Sequence, residues 1–191
     1  MTQPAAKAVV IGASAGAVQA LLTILPVLPA SYALPVLVVV HVPADRDNAL
    51  VPLLQSKCQL PVKEAEDKEA LTGGVVYFAP SDYHLLVETE GALALSMDEP
   101  VNYSRPSIDV LFESAADVFE TDLVGIILTG ANHDGAAGLK AVLAAGGAVI
   151  VEDPAQAYAE AMPQAALQAC PAAKVMSLAA IGSYLSTLGA V

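Results

Sequence analysis

Short apolar runs recur along the chain, and each stops at small or polar residues. Ala8 to Ile11 runs into Gly12-Ala13-Ser14-Ala15-Gly16, after which Val18, Leu21, Leu22 and Leu25 recur at helical spacing. The pattern predicts a strand, a tight turn with a serine at its apex, and a helix. Val36 to Val40 is a continuous branched-aliphatic run that ends at His41 and is stopped by Pro43. Such a run suits a central parallel strand, apolar on both faces. Asn48 to Ser56 reads as a short helix. Val62 to Ala65 and Val75 to Ala79 read as strands, and Leu85 to Glu88 and Leu93 to Ser96 as a hairpin around Glu90-Gly91. Residues 60–98 together are expected to form an antiparallel edge on a parallel sheet.

Val101 to Ser107 is a polar loop. Pro106 is expected in the first turn of the next helix, whose apolar face is Ile108, Leu111, Phe112 and Ala115. Leu123 to Leu128 predicts another central strand. It ends in Thr129-Gly130-Ala131-Asn132-His133-Asp134-Gly135, followed by a helix over Ala136 to Ala145 closed by Gly146-Gly147. Ala148 to Val151 predicts a strand, Ala165 to Ala169 a helix, Val175 a short strand, and Leu178 to Leu188 a last helix. This alternation implies an α/β fold: a doubly wound, mostly parallel sheet with helices on both faces and an antiparallel hairpin at one edge. With no linker or repeat in sight, residues 1–191 are expected to form a single domain.

Composition narrows the function classes. Hydrophobic residues make up 55% and charged residues 15%, so much of the chain must be buried. The 8 Lys and Arg face 20 Asp and Glu, a net charge of −12, and the cations are scattered. Nucleic acid and anionic membrane surfaces are therefore not expected partners. Cys58 and Cys170 lack metal spacing and read as reduced core thiols. Residues 8–44 contain no charged side chain, but Pro26, Pro29, Pro35 and the Gly12–Gly16 turn cut them into pieces too short for a membrane helix.

Three residues stand just past the carboxyl ends of predicted central strands: Ser14, His41 and Asp134. Open α/β sheets bind ligands in the crevice outside those ends. A serine, a histidine and an acid are the parts of a serine hydrolase: nucleophile, general base and orienting carboxylate. The turn of small residues around Ser14 also opens a helix, whose unpaired N–H groups can hold an anion or an oxyanion. Two other readings stay open on the residues alone. A dinucleotide site wants glycine where Ser14 and Ala17 stand, and an acid where His41 stands. A metal site built on His41, His84, His133 and Asp134 lacks ligand spacing.

These segments together resemble the CheB family of protein-glutamate methylesterases, in its catalytic domain. VVIGASAGA (9–17) is similar to the family's serine segment and VVVHVP (38–43) to its histidine segment. VYFAPSDYH (76–84), NYSRPSIDVLF (102–112), LTGANHDGAAGL (128–139) and VEDPAQAYAEAMP (151–163) follow in the family's order. The resemblance implies Ser14 as nucleophile, His41 as general base and acid, and Asp134 as the orienting carboxylate. Backbone N–H groups of Ala15 and Ala131 are the expected oxyanion donors, and Arg105 the expected substrate contact.

The implied reaction is hydrolysis of glutamate γ-methyl esters on the signalling domain of methyl-accepting chemoreceptors, with release of methanol, in the cytoplasm and without cofactor or metal. Some members also deamidate receptor glutamines. A non-catalytic signalling module on the same fold is the alternative. Chemotaxis members usually carry an N-terminal receiver domain. Here the first strand lies a few residues into the chain, so control is expected to be absent or to rest with a separate regulatory protein. Ala131 and Asn132 stand where the family commonly has Met and Gly, Val40 where Gln is common, and Ala17 where Gly is common.

Overall fold

The computed structural model describes residues 6–41 and 49–189. Pro43 and the expected helix start at Asn48 lie outside the described residues. In chain order the elements are β1 (Ala8–Ala13), α1 (Ala17–Ile24), β2 (Val36–Val40), α2 (Leu50–Gln55), β3 (Val62–Glu64), β4 (Val76–Phe78), β5 (His84–Val87) and β6 (Leu93–Ser96). They continue with α3 (Ile108–Phe119), β7 (Leu123–Ile127), α4 (Ala136–Ala144), β8 (Ala148–Glu152), α5 (Ala161–Ala169), β9 (Lys174–Met176) and α6 (Leu178–Leu188).

Seven strands form one sheet in the order β3-β4-β2-β1-β7-β8-β9, and every neighbouring pair is parallel. The strands alternate their side chains between two buried layers, as a period of two requires. Val10, Leu37, Val39 and Ile127 face α3, α4 and α5, where they meet Ile108, Phe112, Leu139 and Met162. Val9, Ile11, Val38 and Ile126 face α1 and α6, against Leu21, Ile24, Ile181 and Leu185. The doubly wound fold read from the sequence is therefore the observed one. Strand order reverses between β1 and β7, which opens a crevice at their carboxyl ends.

Residues 60–98 differ from expectation in one respect. β3 and β4 are not part of an antiparallel edge: they join the main sheet in parallel, with β4 between β2 and β3. Val76, Tyr77 and Phe78 are buried on both faces, as an inner strand demands. With both sides of β4 taken, the β5–β6 hairpin forms its own two-stranded antiparallel sheet. It packs against α3 through Leu85, Val87 and Leu93.

Two helix starts also moved. Pro106 lies before the Ser107 N-cap of α3 rather than inside its first turn. α5 begins at Ala161, not Ala165, with Pro163 in its first turn, where its missing N–H removes no helical bond.

Packing of α3 on the sheet is tightest where Ile108 meets Gly12. A Cβ at residue 12 would collide with the Ile108 side chain. Gly12→Ala must therefore displace the first residue of α3. The expected loss is about 1–3 kcal/mol, the usual effect of overpacking a core. It should appear as a lower denaturation midpoint at unchanged m-value.

Candidate active site

The site is built around a buried carboxylate. Asp134, fully buried, sits in the loop between β7 and α4 and points at the N-terminus of α3. Its Oδ2 accepts from the Ile108 N–H at 2.7 Å and lies 2.7 Å from His41 Nε2. Its Oδ1 accepts from Ser107 Oγ at 2.9 Å, Asn102 Nδ2 at 2.8 Å and, at 3.3 Å, the Asp109 N–H. A carboxylate at a helix N-terminus meets unpaired N–H groups and the positive end of the helix dipole. Burial alone would raise its pKa; the bonds from His41, Ile108 and Asn102 outweigh this and hold it below the ordinary 3.8.

A second carboxylate mirrors the first. Asp109, in the first turn of α3, accepts from the Gly138 N–H at the start of α4 at 2.6 Å. Each helix thus has its N-terminus capped by an acid belonging to the other's segment. Asn102 Nδ2 bridges the two, donating to Asp109 Oδ2 at 2.7 Å as well as to Asp134. Burial pushes the Asp109 carboxyl upward; the Gly138 N–H opposes this, and the nearby Asp134 charge adds to it.

His41 leaves the end of β2 beside the end of β1. Ala13 and Val40 are paired in register, and the His41 N–H donates to the Ala13 carbonyl at 3.2 Å. Ser14 and His41 are therefore the next residues on adjacent strands, at the crevice rim. The structure joins His41 to Asp134 directly and brings Ser14 to the neighbouring strand end. Among the described residues the Ser14 hydroxyl has no hydrogen-bond partner.

The imidazole tautomer follows from its neighbours. The Asp134 N–H donates to Asn132 Oδ1 at 3.0 Å, which orients that amide and turns its Nδ2 toward His41 Nδ1, 3.3 Å away. Nδ1 is thus an acceptor, and Nε2 carries the proton donated to Asp134. The neutral ring can take a proton only at Nδ1.

The turn that presents Ser14 is held from behind. Gly16 caps α1 with φ of 86°, a left-handed conformation that favours glycine. A Cβ there would also press on the Tyr158 side chain, 2.6 Å from its Cβ. The Ser14 N–H donates to the Thr129 carbonyl at 2.9 Å, and Thr129 Oγ1 donates to the Ala15 carbonyl at 2.8 Å. The Thr129 N–H in turn donates to the buried Glu152 at 2.7 Å. Among the described residues the N–H groups of Ala15 and Ala131 have no acceptor.

Arg105, expected to meet substrate, is largely engaged in an internal tie. Its Nε and one terminal nitrogen donate to Asp82 Oδ1 at 3.0 and 2.8 Å. The other terminal nitrogen donates to the carbonyls of Met97 and Asp98 at 3.0 and 3.1 Å. His84 braces the same loop, accepting from the Ser107 N–H at Nδ1 and bonding the Glu99 carbonyl through Nε2. Among the described residues no group of three or more His, Cys, Asp or Glu side chains could hold a metal ion, and no helix is long and apolar enough to cross a membrane.

Sequence reasoning assigned no role to Asn102, Ser107, Asp109, Thr129 or Glu152, and saw Asn132 only as a departure. Glu152 had a readable signal, an acid closing an apolar strand.

Residues 9–185 match the CheB methylesterase family. The chain belongs to that family. A Leptospira interrogans protein named as a protein-glutamate methylesterase/protein-glutamine glutaminase is 47% identical over 182 residues, which cover 95% of this chain and 94% of that protein. Proteins of the same name from Maricaulis maris and Bordetella parapertussis are 36% and 38% identical; this chain spans only 44% and 53% of their lengths. The crystal structure of the Thermotoga maritima CheB methylesterase catalytic domain superposes with a TM-score of 0.91 at 34% identity, covering 97% of this chain and all of that one.

Glu152 offers a test of the support behind the serine turn. Burial holds its pKa above the ordinary 4.5, the Thr129 N–H opposing and Asp153 adding to the shift. A raised carboxyl binds its proton more tightly in the folded chain than in the unfolded one. Its charge therefore weakens the fold above the folded pKa, and that loss disappears as pH falls to 4.5. Glu152→Gln keeps an acceptor for Thr129 and removes the charge. The variant should be more stable than the parent at pH 7, and the advantage should vanish near pH 4.5, read as denaturation midpoints.

Proposed function

We propose that this chain hydrolyses glutamate γ-methyl esters on the signalling domain of chemoreceptors, with Ser14, His41 and Asp134 as its catalytic residues. The observation that carries the reading is the His41–Asp134 pair beside a serine with no hydrogen-bond partner among the described residues, at the reversal point of the sheet. Family membership supplies the class, a methylesterase; the roles of individual residues are our reading.

In the first step the Ser14 oxygen attacks the ester carbonyl and His41 Nδ1 takes its proton. The N–H groups of Ala15 and Ala131 would receive the oxyanion, since neither has an acceptor among the described residues and one opens α1. Asp134 holds the ring by its Nε2–H and stabilises the imidazolium. The proton then passes to the leaving methoxide, methanol departs, and water repeats the sequence on the acyl-enzyme. A glutamine side chain could enter the same course with ammonia as leaving group, in line with the glutaminase in the relatives' names. No residue of this scheme calls for a cofactor.

The partner is a chemoreceptor signalling domain, which places the enzyme in the cytoplasm, and residues 1–191 act as one catalytic domain. Control through a separate regulatory protein belongs to the same proposal, with acetyl phosphate leaving the isolated chain's rate unchanged. The alternative, a non-catalytic module on this fold, predicts no methanol at all.

Methanol release from methylated receptor should be abolished in Ser14→Ala and fall to a small residue in Asp134→Asn, where the base loses its orienting carboxylate. Full activity in Ser14→Ala would refute the nucleophile assignment.

Among the described residues Arg105 keeps one guanidinium N–H outside its four internal bonds, and its reading as a substrate contact rests on that group. Arg105→Ala should then raise KM more than it lowers kcat. Unchanged kinetics would leave Arg105 with the loop alone.

A further inference from the structure

We infer that Asn132 is a positioning residue that restrains the base: its side-chain amide occupies the one lone pair of His41 that Ser14 needs. The inference rests on the reading of Ser14 and His41 given above.

Its warrant is a chain of hydrogen bonds fixed at both ends. At one end the Asp134 main-chain N–H can only donate, so the Asn132 atom 3.0 Å from it is the carbonyl oxygen. The remaining Asn132 atom is NH2, and it faces His41 Nδ1 at 3.3 Å. At the other end the Asp134 carboxylate can only accept, so the imidazole nitrogen 2.7 Å away carries the hydrogen. Both ends assign the same tautomer. Flipping the amide would set two donors against each other at the Asp134 N–H.

Two consequences follow. In the free enzyme Nδ1 is engaged by Asn132, while among the described residues the Ser14 hydroxyl is bonded to nothing. Once Nδ1 gains the serine proton, the Asn132 NH2 faces an N–H, donor against donor. The amide therefore favours the ground state of the base over its protonated state, and it must swing away for Ser14 to be activated. Asn132 is also tied into the anchored β7–α4 loop. Its Oδ1 bond to the residue two places on is an Asx turn, and Asp134 beyond it is anchored to α3. The long 3.3 Å contact to Nδ1 is the weaker of the two and the one that opens.

Asn132→Ser is the clean variant. A serine hydroxyl can accept from the N–H two residues on, as Asn132 does, yet is too short to reach His41. Asn132→Ala removes both bonds and leaves the Asp134 N–H unpaired, so it reports on the brace as well. Two measurements decide. The first is the rate at which a fluorophosphonate labels Ser14: the serine oxygen bonds phosphorus, fluoride leaves, and the proton passes through His41 to water. Asn132→Ser should label about 2–10-fold faster than the parent, the range for freeing one neutral hydrogen bond, and methanol release should rise with it. The second is the imidazole 15N spectrum of His41 at neutral pH. Loss of the amide should move the Nδ1 resonance downfield while Nε2 stays protonated.

A residue that merely braces the loop would give Asn132→Ser the parent's labelling rate, a slower Asn132→Ala, and an unmoved Nδ1 resonance. Either an unchanged or slower Asn132→Ser rate, or an unmoved resonance, overturns the inference. If the parent neither labels nor releases methanol, as in Ser14→Ala, the hydrolase reading fails first. An Nδ1 resonance that still moves would then locate the amide on a base without a nucleophile and overturn the restraint as a catalytic device.

Discussion

Everything at this end of the molecule depends on seating one negative charge out of water. A bare carboxylate in an apolar interior is strongly unfavourable, and it persists only where donors surround it. Asp134 has two main-chain N–H groups at the start of α3, a hydroxyl, an amide and an imidazole. Four of those donors are fixed by the backbone position of residues 102–109. The fifth, His41, comes from the far side of the crevice. The charge therefore does two things at once: it fastens the β7–α4 loop to α3, and it fixes the rotation of the imidazole.

The same logic runs in reverse through Asp109 and α4. Two helices packed side by side exchange capping acids, and a single amide, Asn102, lies between the two carboxylates. Like charges so close would repel, and the bridging NH2 group answers both. The helices also approach closely: a Cβ at Gly138 would meet Phe112 Cβ at 2.6 Å. Packing and electrostatics therefore constrain the same pair of turns. The geometry of the site is a property of the α3–α4 contact as much as of the strand ends.

How much of this could be read from the chain varies with the range of the interaction. β1, β2 and β7 were legible because strands buried on both faces leave uninterrupted aliphatic runs. Ser14, His41 and Asp134 were legible because each follows such a run. The hairpin turn at Glu90-Gly91 is local and was legible too. Its sheet was not, because whether β6 finds an edge depends on β3 having already taken the free side of β4. Pro163 hid the start of α5, since a proline three residues into a helix looks like a stop in sequence and is harmless in the first turn. The bonds of Asn102 and Thr129, and that of Asn132 to His41, left no trace. Each joins residues brought together only by the fold, and asparagine and threonine in a loop are also what an ordinary turn would contain.

The seating of Asp134 bears on how relatives of this chain would lose their chemistry over time. An acid that caps a helix and anchors a loop is kept by selection for folding, whether or not any ester is ever cleaved. The hydroxyl of Ser14 holds nothing together among the described residues, so drift can erase it without harm to the scaffold. A descendant retired from catalysis would therefore keep its aspartate and shed its serine. In such a lineage, the residue at position 14 is the one that records whether the protein still works as an enzyme.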